Sequence, residues 1–262
     1  LTVGSISYLY YAERLIQFPL GLFGSAIGTS VLPQLTRQSA LQEWQPFRQQ
    51  VVEAMELLWF LTIPAAAGLW VIRIPLVHLL FQRGEFNEIS TRMTAEALGY
   101  FALGLWAVAG FRVLVGAWYA LDGAYVTVWA GVGALAINVI LSVLLIGPLG
   151  HSGLALAVSI AAIANMLLLM LLLSRRLGGI QGGRLLLNSG RCLFASFIMA
   201  VVVQNLYRYS YDGGNLTGGF LALGLGCWVA AGILIYLGCI MLLGVPEGVR
   251  NAWAARRQSR IN

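Results

Sequence analysis

Hydrophobic residues along this chain are gathered into seven long runs, which short polar connections separate. Each run is about 20 residues or longer, the length that a helix needs to cross the ~30 Å hydrocarbon core of a bilayer. The runs lack the two-residue alternation typical of membrane β-barrel strands. They predict an all-α fold, a polytopic transmembrane helix bundle of about seven spans. The predicted spans are residues 8–36, 51–81, 93–120, 125–147, 152–174, 190–208 and 219–244.

Composition agrees with a membrane protein. Hydrophobic residues make up 59% of the chain and charged residues only 10%, whereas soluble domains contain ~25% charged residues. The net charge is +6, but every basic residue is Arg, which we interpret as a composition bias, and we expect no nucleic acid as a partner. The 3 cysteines have neither paired nor metal-like spacing, so we expect no disulfide and no metal site.

The arginines near the span ends are unevenly shared between the two sides of the membrane. The Arg-rich side carries the C-terminal tail, and the positive-inside rule places that side in the cytoplasm. Seven spans then place Leu1 outside. Because the chain starts with Leu and has no signal peptide to export that end, we expect it to be the C-terminal part of a longer transporter. The Arg-rich side has Arg37, Arg48, Arg175, Arg176, Arg184, Arg191, Arg250, Arg256, Arg257 and Arg260, and the other side has Arg83, Arg92 and Arg208.

A Gly- and Arg-rich loop between residues 175 and 191 separates the first five spans from the last two. We therefore predict three parts. Residues 1–178 form a five-span transmembrane core, residues 179–245 add two spans, and residues 246–262 form a basic cytoplasmic tail.

Three arginines in or near the spans are candidates for function, because a charge inside a bilayer costs at least a few kcal/mol. Arg14 lies beside Glu13 and Gln17, and its guanidinium presents donors suited to phosphate. Two interpretations of Arg14 stay open, since it can face a cavity or extend to the lipid headgroups. Arg73, near the outer end of its span, fits the headgroup interpretation better. Arg112 lies inside its span, where a cavity role and a structural role both stay open.

Uncharged polar residues suggest a second site. Asn138 and Ser142 share one helix face, and Asn165 lies on the next span. Such groups bind a cation or hydrogen-bond between helices, and the lack of a nearby carboxylate favours the hydrogen bonds. Glu53 and Glu56 lie at the cytoplasmic start of the second span, where we expect them to reach water.

No motif for catalysis is present. The sequence contains no nucleophile–base constellation, no Gly-rich phosphate loop and no HExxH motif. The acidic residues are scattered, so we expect no carboxylate cluster that would hold a metal–diphosphate complex. Neither an enzyme activity nor a cofactor is expected.

Four stretches of the sequence resemble a known family. Residues 10–35 are similar to its signature helix, and residues 80–86 (LFQRGEF) match its LF-x-RG-x-F element. Residues 98–121 and 138–157 resemble a further helix and its GPLGHAGLALA turn. These matches cover roughly residues 5–178, in family order and spacing. The family is that of the MurJ/MviN lipid II flippases, in the MOP exporter superfamily. Within the signature helix the matching residues are Tyr10, Glu13, Arg14, Leu15, Phe18, Pro19, Gly21, Gly24, Gly28, Thr29, Leu32, Pro33, Gln34 and Leu35.

The resemblance implies a fold and a function. The family has fourteen spans, of which this chain resembles the eighth to fourteenth, its C-terminal lobe. The implied activity is translocation of lipid II, the undecaprenyl-diphosphate-linked disaccharide-pentapeptide, across the bacterial inner membrane by alternating access. Its implied partners are lipid II, membrane lipids and the missing N-terminal lobe. Arg14 matches a cavity arginine of the family, whereas Gln17 stands where the family often has Glu.

Other functions stay open on sequence grounds. A related exporter of polysaccharide-linked lipids or of drugs has the same architecture, and a drug pump for cations requires an acidic cavity residue. A seven-helix receptor is the alternative from another class. For the flippase, the candidate substrate-binding residues are Arg14, Glu13, Gln17 and Arg112.

Overall fold

A computed structural model describes residues 4–211 and 219–251. Within these ranges the regular elements are all helices, and no strand is present. A five-residue π-helix, Leu20–Gly24, joins the first two α-helices. The α-helices are α1 (Ser5–Pro19), α2 (Ser25–Ala40), α3 (Trp44–Phe81), α4 (Glu88–Ala120), α5 (Ala124–Leu149), α6 (His151–Arg176), α7 (Gly182–Tyr211) and α8 (Gly219–Leu243).

The predicted all-α membrane bundle is confirmed. In the described part of the chain, the 6 helices α3 to α8 are long and apolar enough to cross a membrane. The first predicted span, residues 8–36, is helical but divided by the π-helix. Its two parts, α1 and α2, have 15 and 16 residues, and at 1.5 Å per residue neither alone spans the hydrocarbon core.

The long helix α4 lies at the centre of the bundle and packs against α1, α2, α3 and α6. Its contact with α6 is close because Gly104 has no side chain: a Cβ there would lie 2.9 Å from the Cα of Ser159. The Ser159 hydroxyl donates to the Tyr100 carbonyl oxygen at 2.7 Å. Small residues and interhelical hydrogen bonds are what hold helices together in lipid, where the hydrophobic effect contributes little.

The helix α5 lies at the edge of the bundle and packs mainly on α6. Of its residues only Thr127 and Ala130 are buried. The exposed remainder is strongly apolar, with side chains such as Val132, Leu135 and Ile140 turned outward. This composition fits a helix whose outer surface contacts lipid tails.

The last two helices form a hairpin that packs on α3. The helix α7 begins at Gly182, well before the predicted residue 190, so Arg184 and Arg191 lie in the helix and not in a loop. That part of the sequence prediction is wrong. The three-part division of the chain at residues 178 and 245 stays a prediction.

Glu56 is buried, and the expectation that it reaches water is wrong. Its side chain is 1% exposed. The carboxylate accepts two parallel hydrogen bonds from the Arg184 guanidinium, both at 2.9 Å. It also accepts from Asn188 Nδ2 at 2.7 Å and from the backbone N–H of Gly248 at 2.9 Å. Four donors therefore offset the cost of burying this charge.

The beginning of the predicted basic tail is helical from residue 247 to residue 251 and lies against α3. A Cβ on Gly248 would lie 2.6 Å from the Glu53 carbonyl oxygen, so the two backbones touch. Asn251 Nδ2 donates to the Glu53 carboxylate at 2.7 Å, and Val249 is buried. Residues 252–262, which hold most of the predicted tail's arginines, lie outside the described residues.

Candidate functional site

The exposed polar side chains of α1 gather on one face, which also holds the exposed Ile6 and Phe18 and points away from the bundle. At 100° per residue the polar side chains fall on less than half of the helix circumference. The buried residues Ala12, Ile16 and Pro19 occupy the opposite side, where α1 packs against α4. The exposed polar residues of α1 are Ser7, Tyr10, Glu13, Arg14 and Gln17.

Arg14 is held by a tyrosine one turn away on the same helix. Its Nη2 and Nε atoms donate to the Tyr10 hydroxyl oxygen at 2.6 and 3.1 Å. The guanidinium carbon also lies 5.0 Å from the Tyr10 ring centroid, a cation–π distance. No carboxylate within residues 4–211 and 219–251 comes within ion-pair distance of Arg14. The side chain is thus oriented while its charge is not neutralised.

The neighbouring Glu13 does not pair with Arg14. Its carboxylate accepts a long hydrogen bond, 3.4 Å, from the amide of Gln17. The structure therefore places the predicted residues Glu13, Arg14 and Gln17 on one surface. Glu13 pairs with Gln17, whereas Arg14 pairs with Tyr10. This face combines a guanidinium, a group suited to binding anions, with a carboxylate–amide pair beside it.

Arg112 lies further along the bundle, at the π-helix. Its Nη1 atom donates to the carbonyl oxygen of Leu20, the first π-helical residue, at 3.2 Å. This bond joins α4 to the junction of α1 and α2. Direct binding of substrate by Arg112 stays a prediction, and the contact that the structure shows is to protein backbone.

The second predicted site is not assembled by the described side chains. The Ser142 hydroxyl donates to Asn138 Oδ1 at 3.4 Å, within α5. Asn165 Oδ1 on α6 is buried and has no hydrogen-bond partner. The expected hydrogen bond between the two helices is therefore absent among these three residues. No group of three His, Cys, Asp or Glu side chains in the described ranges is arranged to hold a metal ion.

Two features of the site region went unrecognised in the sequence. The role of Tyr10 was signalled by its spacing of four residues from Arg14, which puts both side chains on one face. The π-helix had a weaker signal, Pro19 followed by Gly21 and Gly24, because proline removes a helical hydrogen bond and glycine tolerates irregular backbone.

Comparisons with known proteins agree with the resemblance seen in residues 5–178. The sequence model of the family described as "Lipid II flippase MurJ" matches residues 1–217. A probable lipid II flippase MurJ from Vibrio cholerae is 37% identical over 169 residues, which are 64% of this chain and 32% of that protein. Its counterpart from Bdellovibrio bacteriovorus is 32% identical over 247 residues, which are 94% of this chain and 47% of that protein.

The fold has a match among solved structures. A structure of a lipid II flippase MurJ in an inward closed conformation superimposes with a TM-score of 0.73 at 26% identity, covering 91% of this chain and 47% of that chain. The chain spans about half the length, or less, of the relatives it matches. These two relatives and this solved structure are all described as lipid II flippases or probable lipid II flippases.

The apolar helices and the relatives together describe a multi-pass inner-membrane protein of a transporter class. Because the family model covers residues 1–217 of the 262, the resemblance is confirmed: the chain belongs to the MurJ family of lipid II flippases.

Proposed function

We propose that this chain is the C-terminal lobe of a lipid II flippase, with its C-terminus in the cytoplasm. The whole protein would move undecaprenyl-diphosphate-linked disaccharide-pentapeptide from the cytoplasmic to the outer leaflet. The observation that carries this proposal is the outward face of α1, on which Arg14 is oriented by Tyr10 and lacks a carboxylate partner.

Exposure of this charged face of α1 to hydrocarbon is costly. An arginine facing hydrocarbon at the middle of a helix costs at least ~2.5–3.5 kcal/mol. The polar face of α1 contains an amide, a phenol and a carboxylate besides the guanidinium, and it does not contact the core of the bundle. A water-filled cavity shared with another lobe removes this cost. The family resemblance supplies such a lobe, the N-terminal half of the full-length protein.

The cargo determines what the face must do. Lipid II carries a charged diphosphate, which hydrocarbon excludes, and a guanidinium binds phosphate oxygens with paired hydrogen bonds. Glu13 and Gln17 border the same surface and can contact the sugar and peptide groups. Outward movement of a negative charge is favoured by the membrane potential, by about 2.3 kcal/mol per charge per 100 mV. Alternating access then follows from rocking of the two lobes around the cavity.

The test uses full-length protein in a strain depleted of its own flippase. We expect Arg14→Ala to abolish growth rescue and to lower the amount of lipid II exposed on the outer leaflet. Arg92→Ala is the matched control, because Arg92 is also exposed but forms an ion pair with Glu88 at the start of α4. The control should rescue growth. Full rescue by Arg14→Ala, with both variants present in the membrane at wild-type amounts, would contradict the proposal.

A further inference from the structure

The junction between α1 and α2 is an interruption in an otherwise continuous helix. Hydrogen bonds in a π-helix span five residues, whereas those in an α-helix span four. Side chains before and after the π-helical turn therefore do not continue the same faces of one regular α-helix. Pro19 lies directly before the turn and has no N–H to donate to the preceding turn. Gly21, inside the turn, has nothing within 4 Å of where a Cβ would be. A side chain at Gly21 would therefore meet open space, while the neighbouring Leu20 is buried in the core.

The outer half of α1 is held in place by aromatic packing. The Tyr11 ring lies 4.8 Å from that of Phe81 and 5.6 Å from that of Phe86, centroid to centroid. Phe81 is the last residue of α3, and Phe86 lies in the connection between α3 and α4. Among the side chains that the structure describes, those at the inner end of α1 make no comparable aromatic contact. A polar contact from another helix there is the bond from Arg112 to the Leu20 carbonyl.

An arginine at position 112 has a high free-energy cost for a residue that only contacts the junction. It lies within a membrane-spanning helix, and its neighbours in α4, Phe111 and Val113, are apolar. The residue is exposed on its helix, and a charge at this depth needs hydrogen-bonding partners or water. The structure gives Arg112 a backbone carbonyl 92 positions away in sequence. A neutral donor would make the same bond to a carbonyl oxygen with a smaller desolvation cost. The guanidinium adds reach and several donors in a fixed plane.

We infer that Arg112 is a positioning residue that fixes the π-helical junction, and through it the direction of α1 and the placement of Arg14. The junction acts as a hinge, and the bond to Leu20 holds it at the angle of this structure. This inference rests on the proposed function of the α1 face, but the geometry that it concerns exists without any cargo.

The experiment measures that geometry directly. Spin labels on Ser7→Cys and Gln34→Cys, both exposed positions, report the distance between α1 and α2 in full-length protein that has no other reactive cysteine. The protein is held in nanodiscs free of lipid II. We expect a narrow distance distribution for the parent protein and a broader or shifted one for Arg112→Met. Arg112→Lys, which retains a charged donor, should recover the narrow distribution.

A matched control separates this effect from a general loss of an arginine. Arg176 Nη2 also donates to a backbone carbonyl, that of Leu121, at 2.8 Å, so Arg176→Met removes the same kind of bond far from the junction. It should leave the distance between α1 and α2 unchanged. In the transport assay, Arg112→Met should lower outer-leaflet exposure of lipid II roughly tenfold or more, the equivalent of one lost hydrogen bond from a charged donor.

The outcomes distinguish this inference from the proposed function. An unchanged distance distribution in Arg112→Met overturns the positioning role, whether or not transport falls. If the distribution responds but Arg14→Ala still transports, the hinge stands and the role of Arg14 in cargo binding fails. A distribution that broadens equally in Arg112→Lys and Arg112→Met also overturns the inference, because then the hydrogen bond is not what fixes the junction.

Discussion

Replacing Arg184 by Met removes the charged partner of a buried carboxylate, and the structure allows the cost to be worked out. The Glu56 side chain is 1% exposed, and that of Arg184 is 21% exposed. In the variant, Glu56 keeps the hydrogen bonds from Asn188 and Gly248 but loses two parallel bonds from the guanidinium. It then remains a buried charge with neutral donors alone.

Breaking a buried ion pair by removal of one partner costs ~3–5 kcal/mol, because the other charge stays desolvated. Each kcal/mol shifts the unfolding midpoint by roughly 2–4 °C for chains of 150–250 residues and by less for a longer chain. We therefore expect Arg184→Met to lower the midpoint of the full-length protein by several degrees. The ion pair between Arg184 and Glu247, at 3.0 Å, is lost as well and adds little because Glu247 is exposed.

The assay is thermal unfolding of the full-length protein in nanodiscs, followed by tryptophan fluorescence. Arg92→Met is the control, since the ion pair of Arg92 with Glu88 has side chains 70% and 71% exposed and should contribute ~0–1 kcal/mol. The double variant Glu56→Met, Arg184→Met should recover part of the loss, because no uncompensated charge stays buried, while Asn188 Nδ2 and the Gly248 N–H lose their acceptor. Equal midpoints for Arg184→Met and Arg92→Met would refute the reasoning.

Two glycine substitutions test backbone contacts by the same assay. Gly104→Ala should cost about 1–3 kcal/mol through overpacking, because its Cβ would lie 2.9 Å from a backbone carbon of α6, while Gly116→Ala, whose Cβ meets a side-chain carbon at 3.8 Å, should not. Gly248→Ala should destabilise similarly and separate the segment after α8 from α3, since its Cβ would lie 2.6 Å from a backbone oxygen. Its control, Gly238→Ala, has open space and should be neutral or stabilising by up to ~1 kcal/mol. A midpoint in either test variant equal to that of its control would contradict the close contact.

Hydropathy predicted six of the spans because lipid imposes a simple rule, that each crossing segment must be long, apolar and internally hydrogen-bonded. The rule gave a wrong start for α7. Arg184 and Arg191 lie in the first turns of this helix, and charges there shorten an apolar run. Arg184 is stabilised by Glu56, which is 128 residues away in sequence. No short stretch of the sequence contains both Arg184 and Glu56, so their pairing could not be predicted from local sequence.

The candidate site could be predicted only in part, because some of its contacts are local in sequence and others join distant elements. The spacing of Tyr10, Arg14 and Gln17 is local, so their common face follows from helix geometry. The contact between Arg112 and Leu20 spans two elements whose packing only the fold defines. Asn138, Ser142 and Asn165 share a pattern that predicts hydrogen bonding between α5 and α6. The structure instead has Ser142 bonded within α5, because helix register, which hydropathy does not fix, sets which side chains meet.

The arginines in the helices differ in what their side chains contact. Arg184 pairs with a buried carboxylate of α3, while Arg112 and Arg176 donate to backbone carbonyls of other segments. The stem of Arg73 lies against α4, at Gly99. The charges of Arg184, Arg112 and Arg176 are thus occupied by contacts with other segments of the lobe. The Arg73 guanidinium instead contacts the Trp70 carbonyl oxygen and ring on its own helix, and its side chain is half-buried. Arg14 differs from all four, because it is exposed on the face turned away from the bundle and its described contacts are both with Tyr10 on its own helix. A charge that stabilises no contact between helices yet lies in a membrane helix requires another reason for its cost, and binding of an anionic cargo supplies one.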